Sequence, residues 1–267
     1  MPIVVYKLTI LSLFYLASNL VSGQALGEAL DTTVDYVSGD TERCVVLLHG
    51  LARSSSSMKE LSDTLENHGF NVALVDYPSR NHPIKALSQI AVGAGLDSCR
   101  KNGAKQIYFV THSLGGILVR VYLDEQPIPE LHRVVMLAPP NHGSEVVDNV
   151  KSIPGVAWMN GPAFLQLGTD EHSVPLSLGP VSVDTAVIAG SSSINLILSN
   201  FLDNPDDGKV SVESARLEGM CAMLVLPVSH PFIMTDELAI EQTISYLNTG
   251  EFSLSTAEYL DCETREG

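Results

Sequence analysis

The chain has 267 residues, 45% of them hydrophobic and 17% charged, a composition that supports a sizeable apolar core and excludes a disordered or collagen-like chain. With 31 acidic against 15 basic side chains the formal net charge is -16, a field that repels phosphate backbones, so no nucleic-acid partner is expected. No internal repeat and no long low-complexity tract breaks the chain.

In chain order, the first feature is the run LTILSLFYLASNLVSG after Lys7, which carries no charge and ends in the small residues Ser22 and Gly23. That pattern predicts a secretory signal peptide over residues 1–23 and an exported protein, periplasmic or secreted. The run is shorter than the roughly 20 apolar residues that cross a bilayer, and Asn19 interrupts it, so a permanent anchor is the weaker reading. Residues 24–267 then read as a single domain. The four cysteines allow two disulfides in an exported chain, and none has the C-x-x-C spacing of a zinc or redox site.

From residue 44 to 250, short apolar runs alternate with longer amphipathic ones, the rhythm of strands and helices in a mainly parallel sheet. CVVLLHG (44–50) predicts a buried strand and turn, and SMKELSDTLENHG a helix with Met58, Leu61 and Leu65 on one face, stopped at Gly69. NVALVDYP (71–78) predicts the next strand, and a helix follows from Pro83 to about Asn102. QIYFVT (106–111) is a strand and LGGILVRVYLDE (114–125) the helix after it. RVVMLAP (133–139), TAVIAG (185–190) and AMLVLPV (222–228) add three strands, and DELAIEQTISYLN a final helix capped by Thr235 and stopped at Gly250. The expected fold class is therefore α/β, with about six strands and helices on both faces. Two intervals, 141–183 and 191–221, are rich in Pro, Gly and turn residues and read as long loops of the kind that serve function.

The stretch FVTHSLGG (109–116) places Ser113 between a strand and a helix. By itself S-x-G is weak, because Ser177-Leu178-Gly179 repeats it in a loop with no strand before it. A serine hydroxyl needs an imidazole to take its proton and a carboxylate to orient that ring, both on loops at the carboxyl ends of later strands. His230, just beyond AMLVLPVS, is at such a position. His112 is adjacent to Ser113 and directed away from it, and His68, His82, His132 and His172 fall near helix ends or in loops. Asp203, Asp206 and Asp207 all qualify as the acid; Asp207 is favoured because Asp-Gly-Lys-Val turns the loop back toward the sheet. An oxyanion hole needs two N–H donors, supplied by Leu114 after the serine and Leu51 after His49-Gly50.

With these pieces in order the chain resembles the α/β-hydrolase superfamily, and within it bacterial lipases and esterases. The matching stretches are LLHGLARS, FVTHSLGGILVR, APPNHGSEVVD, PDDGKVSVESARLEG and LPVSHPFIM. The resemblance implies hydrolysis of carboxylic esters of acyl lipids, or of smaller esters, through an acyl-enzyme on Ser113, with Asp207 and His230 as its partners and no metal or organic cofactor. An acyltransferase or thioesterase with the same triad is the alternative, and a non-catalytic lipid-binding fold a third reading. Thr111 departs from the family pattern by standing where a first glycine is usual, and no ligands for a structural calcium ion are identifiable. The interval 141–183 would sit over the site as a small lid or acyl-binding wall, with Trp158, Met159, Phe164 and Leu165 as lining and transient contact with a lipid interface. Sheet geometry pairs Cys44 with Cys99 and Cys221 with Cys262, because each pair falls at the face opposite the site.

Overall fold

The computed structural model describes residues 32–38, 40–193, 202 and 205–262; the expected signal peptide and Asp203 lie outside them. The strands are β1 Thr33–Val37, β2 Asp40–Leu48, β3 Phe70–Asp76, β4 Gln106–His112, β5 Leu131–Leu137, β6 Thr185–Gly190, β7 Ala222–Leu226 and β8 Glu258–Tyr259. The helices are α1 Lys59–Asn67, α2 Ile84–Lys101, α3 Leu114–Glu125, α4 Glu145–Val150, α5 Val156–Leu165, α6 Val174–Ser177, α7 Val212–Ala215 and α8 Glu237–Thr249.

All eight strands join one sheet in the order β1-β3-β2-β4-β5-β6-β7-β8. The six inner strands, β2 to β7, are parallel, and β1 and β8 close the two edges antiparallel to β3 and β7. The inner strands read as continuous apolar runs because both sheet faces are covered. Along β2, Val46 and Leu48 face a core shared with Ile84 and Leu87 of α2 and Ile117 of α3. Val45 and Leu47 face the opposite core, with Leu61 and Leu65 of α1 and Ile244 and Leu247 of α8. The sheet is thus a rigid platform, and its strand carboxyl ends lead into the loops that carry Leu51, Ser113 and His230.

The expected strands and helices are present, two of them, α3 and β6, with the same limits. Two edge strands exceed the expected six, and the Pro- and Gly-rich interval 141–183 contains the short helices α4, α5 and α6. The cap of α8 is Asp236, whose carboxylate accepts the Ala239 N–H at 2.9 Å. Thr235 does not cap this helix; its hydroxyl donates to the Phe232 carbonyl. Both disulfides form, Cys44–Cys99 joining β2 to α2 and Cys221–Cys262 fastening the C-terminal segment beside β7.

Candidate active site

Ser113 follows β4 and caps α3 with φ 52° and ψ -118°, a conformation that costs a non-glycine residue about 1–3 kcal/mol. Its N–H donates to the Leu137 carbonyl at 2.9 Å, and its side chain makes no capping bond, so the hydroxyl is left to other partners. The turn is tight because two glycines, Gly115 and Gly116, follow Leu114. A Cβ on Gly115 would stand 2.7 Å from the Leu48 carbonyl oxygen, and one on Gly116 would stand 3.3 Å from Thr111 Oγ1. Thr111 is therefore accommodated by the bare Cα of Gly116 across from it, although its buried hydroxyl finds no partner among the described residues. Gly115→Ala is expected to destabilise the fold by about 1–3 kcal/mol, and chemical denaturation of the variant measures it.

His230 Nε2 lies 3.1 Å from Ser113 Oγ, and His230 Nδ1 lies 2.7 Å from Asp207 Oδ2. With the carboxylate as acceptor, Nδ1 carries the proton and Nε2 presents a lone pair to the serine hydroxyl. The other carboxylate oxygen of Asp207 accepts the N–H groups of Lys209 and Val210 at 2.9 and 2.8 Å. A second link runs through the backbone, where His230 N–H donates to the Asp207 carbonyl at 3.0 Å. Asp206, the neighbouring acid, is also buried, and its carboxylate accepts the Gly208 N–H, forming the turn that delivers Asp207.

The loop after β2 supplies the other side of the site. Neither Leu51 N–H nor Leu114 N–H has an acceptor among the described residues, as two oxyanion donors require. His49 stabilises this loop from beneath. Its ring stacks on Tyr77 with centroids 4.1 Å apart, accepts the Tyr77 N–H at Nε2 and donates from Nδ1 to the Gly50 carbonyl at 2.9 Å. Tyr77 hydroxyl donates back to the His49 carbonyl at 2.6 Å, and Ser79 Oγ accepts the Ala52 N–H.

Beside Ser113 and His230 is a cavity of about 130 Å³, with an apolar wall of Val146, Val147, Phe164, Leu167 and Val210. Of the four residues expected to line it, Phe164 does. Trp158 is 90% exposed, Met159 57% and Leu165 41%, and none of the three lines the cavity. For Trp158 and Met159 the reason is a break inside α5: Gly161 has φ 79° and ψ -177° and precedes Pro162, so they do not share a helical face with Phe164. Leu165 is the next residue along the helix from Phe164 and lies on a different face. His142, in the loop after β5, is exposed, while Asn141 holds that loop by donating to the Ala215 carbonyl and accepting from Arg120.

Among the described residues no cluster of His, Cys, Asp or Glu is arranged to hold a metal ion, and no helix is long and apolar enough to cross a membrane. Residues 45–218 match the model of the alpha/beta hydrolase family. The chain belongs to that family. As an α/β hydrolase it is similar in fold to the mature lipase BlEst2 of Bacillus licheniformis, 19% identical with a TM-score of 0.63 over 82% of this chain and 98% of that one. A thermophilic esterase from Thermogutta terrifontis is 15% identical with a TM-score of 0.56, over 82% of this chain and 94% of that one. Aspergillus fumigatus lipase B is 14% identical with a TM-score of 0.61, over 84% and 57%. No curated protein matches the sequence at a significant level.

Two features of this α/β hydrolase's site have no motif in the sequence. Tyr77 and Ser79 lie after β3 and act on the loop after β2 only because those strands are neighbours in the sheet. His112 is turned away from Ser113, as its place on the sharp turn predicts, and packs instead against His230 with ring centroids 4.9 Å apart. Its Nε2 donates to the His230 carbonyl at 3.1 Å, and Nδ1 has no partner among the described residues.

Burial holds the His112 pKa well below the usual imidazole value, helped by the nearby charges of His230 and Lys209, and burial likewise lowers that of His49. Both rings thus stay neutral in the folded protein at pH values where the unfolded chain protonates them. The unfolded state binds more protons between the depressed folded values and about 6.5, so the stability present above about 6.5 is lost as pH falls through that window. Urea melts between pH 7.5 and 5 should show stability falling as pH drops below about 6.5, by at most about 1.4 kcal/mol per pH unit for each ring. A His112→Gln variant should show the shallower slope of one ring fewer.

Proposed function

We propose that this chain is a serine hydrolase of carboxylic esters, working through an acyl-enzyme on Ser113. The observation that carries the reading is the line from Ser113 Oγ through His230 to Asp207, at 3.1 and 2.7 Å, beside two unengaged N–H groups. In the first half-reaction the Ser113 proton passes to His230 Nε2 as Oγ attacks the ester carbon, and the oxygen that gains charge is held by the Leu51 and Leu114 N–H groups. The carbon–oxygen bond to the alcohol then breaks, and His230 returns the proton to the leaving alcohol. Water, deprotonated by His230, attacks the acyl group in the second half-reaction; the acid leaves and Ser113 regains its proton.

A cavity of about 130 Å³ is comparable to one that holds benzene, which favours acyl groups of a few carbons. The α4–α5 segment of 141–183 gives one wall of that pocket, in keeping with a lid-like insertion. The exposed apolar side chains Ile153, Trp158 and Met159 there, and Phe232 just beyond His230, support transient contact with a lipid surface. Two disulfides suit an oxidising compartment and so support export. Labelling with a fluorophosphonate tests the reading: a single adduct on Ser113, blocked by prior acylation with a short activated ester, is expected. An unlabelled Ser113 in folded protein would overturn it.

A further inference from the structure

Only two charged side chains line the pocket beside Ser113 among the described residues besides the site histidines, and both are cations: Arg53 and Lys209. No carboxylate lines it, in a chain where acids outnumber bases by 31 to 15. Elsewhere Lys59, Lys85, Arg100, Arg133, Lys151 and Arg216 each find a carboxylate, while Arg43, Arg80, Lys101, Lys105 and Arg120 form no ion pair among the described residues. Arg53 and Lys209 have no carboxylate within ion-pair distance among the described residues; they are close enough to act on one another and on His112, and Asp207 acts on Lys209 from farther off.

Their positions are set by the site. Arg53 stands two residues beyond Leu51, on the loop that presents one free N–H, and Lys209 two residues beyond Asp207. The backbone of Lys209 is fixed on both sides: its N–H donates to Asp207 Oδ1, and its carbonyl accepts the Ser144 hydroxyl at 2.7 Å. Lys209 is exposed at the pocket, and its ammonium pKa is lowered by desolvation and then by Arg53, against a smaller raising effect of Asp207, so two like charges lie near one another there. A third cation, Arg80, shares with Arg53 an open crevice alongside, which the carboxylate of Asp76 also lines. Like charges held together at a pocket mouth are relieved by an anion bound between them.

On the reading that Ser113 cleaves esters, we infer that the ester this site takes carries an anionic group, a carboxylate or a phosphate, held by Arg53 and Lys209 while the acyl chain lies on the Val146–Phe164 wall. The site would then distinguish esters by charge as well as by length.

The test compares kcat/KM within two matched pairs. One pair, para-nitrophenyl hexanoate and the para-nitrophenyl monoester of adipic acid, puts the anion on the acyl side. The other, monobutyrylglycerol and monobutyrylglycerol phosphate, puts it on the alcohol side. The anionic member of at least one pair should be preferred by on the order of tenfold, the scale of a charge-assisted hydrogen bond, and the pair that shows it identifies the source of the anion. In an Arg53→Gln/Lys209→Gln protein the preference should collapse, while Lys101→Gln, at a remote exposed cation, keeps it. Hydrolysis of both members at equal rates, or a preference that survives the double substitution, would overturn the inference and leave the esterase reading standing. A direct measurement separates the two further: calorimetry of butylphosphonate binding to Ser113→Ala protein. Binding that weakens about tenfold with the double substitution supports the anion site even if no ester is turned over; no binding removes it.

Discussion

Ser113→Ala is expected to lower kcat for ester hydrolysis by on the order of a millionfold, the scale seen when a serine hydrolase loses its nucleophile. The Leu51 and Leu114 N–H groups and the apolar wall remain, so a residue of catalysis over water of about a thousandfold should persist. The fold should survive, because the Ser113 side chain makes no capping bond and its backbone N–H still reaches the Leu137 carbonyl. Alanine does not relieve the backbone, however: φ 52° with ψ -118° is as costly for alanine as for serine. Glycine does relieve it, at the expense of a looser unfolded chain. A Ser113→Gly protein should therefore be equally inactive yet about 1 kcal/mol more stable than Ser113→Ala. Stopped assays at high enzyme concentration measure the first effect, and denaturant titrations of the two variants measure the second. Ester hydrolysis at the wild-type rate in Ser113→Ala would place the chemistry elsewhere.

Asp207→Asn is expected to lower kcat by about ten-thousandfold with KM little changed, following the tautomer argument established for serine hydrolases. In this molecule the direction of the substituted side chain is fixed by its surroundings. Asp207 Oδ1 accepts two backbone N–H groups, from Lys209 and Val210, and those donors will hold the amide oxygen of asparagine in the same place. Its NH2 group must then face His230 Nδ1. That nitrogen becomes the acceptor, the ring proton moves to Nε2, and the atom facing Ser113 can no longer take the serine proton. The backbone bond between His230 N–H and the Asp207 carbonyl keeps the ring in register, so the loss is one of protonation and not of position. Steady-state kinetics together with an unchanged melting temperature would show this; a large rise in KM or an unfolded variant would show that the geometry has changed.

The parts of the site that could be read from the sequence are those that follow a strand. Ser113, His230 and Leu51 each lie within a few residues of a buried apolar run, and those runs are unambiguous because strands covered on both faces leave no polar alternation. Asp207 was harder, since three acids fall within five positions, and turn chemistry at Gly208 separates it from Asp206, whose carboxylate is used to make the turn. The edge strands were not legible: β1 is half-solvated and β8 is two residues long, and each exists because a neighbour offers it a ladder. The short helices of 141–183 are too short to form alone, so they are decided by packing. That Trp158 and Met159 stay outside the pocket traces to the backbone conformation at Gly161, Leu165 is one residue off the face that carries Phe164, and Arg53 and Lys209 follow from no pattern at all.

The two antiparallel borders of the sheet bear on how copies of this molecule behave toward each other. A parallel sheet that ended at β3 or β7 would present an unpaired row of N–H and C=O groups, a template on which another chain could add itself. β1 occupies one such row with five residues, from Thr33↔Asp76 to Val37↔Val72. On the other side β8 is brief, but it is fastened three ways: Cys221–Cys262 beside it, Arg216 paired with Glu258, and Tyr259 hydroxyl bonded to the Phe252 backbone. Reduction of that disulfide would loosen the border without touching the Ser113 pocket, so the first sign of damage to this protein should be self-association of chains that are still chemically competent.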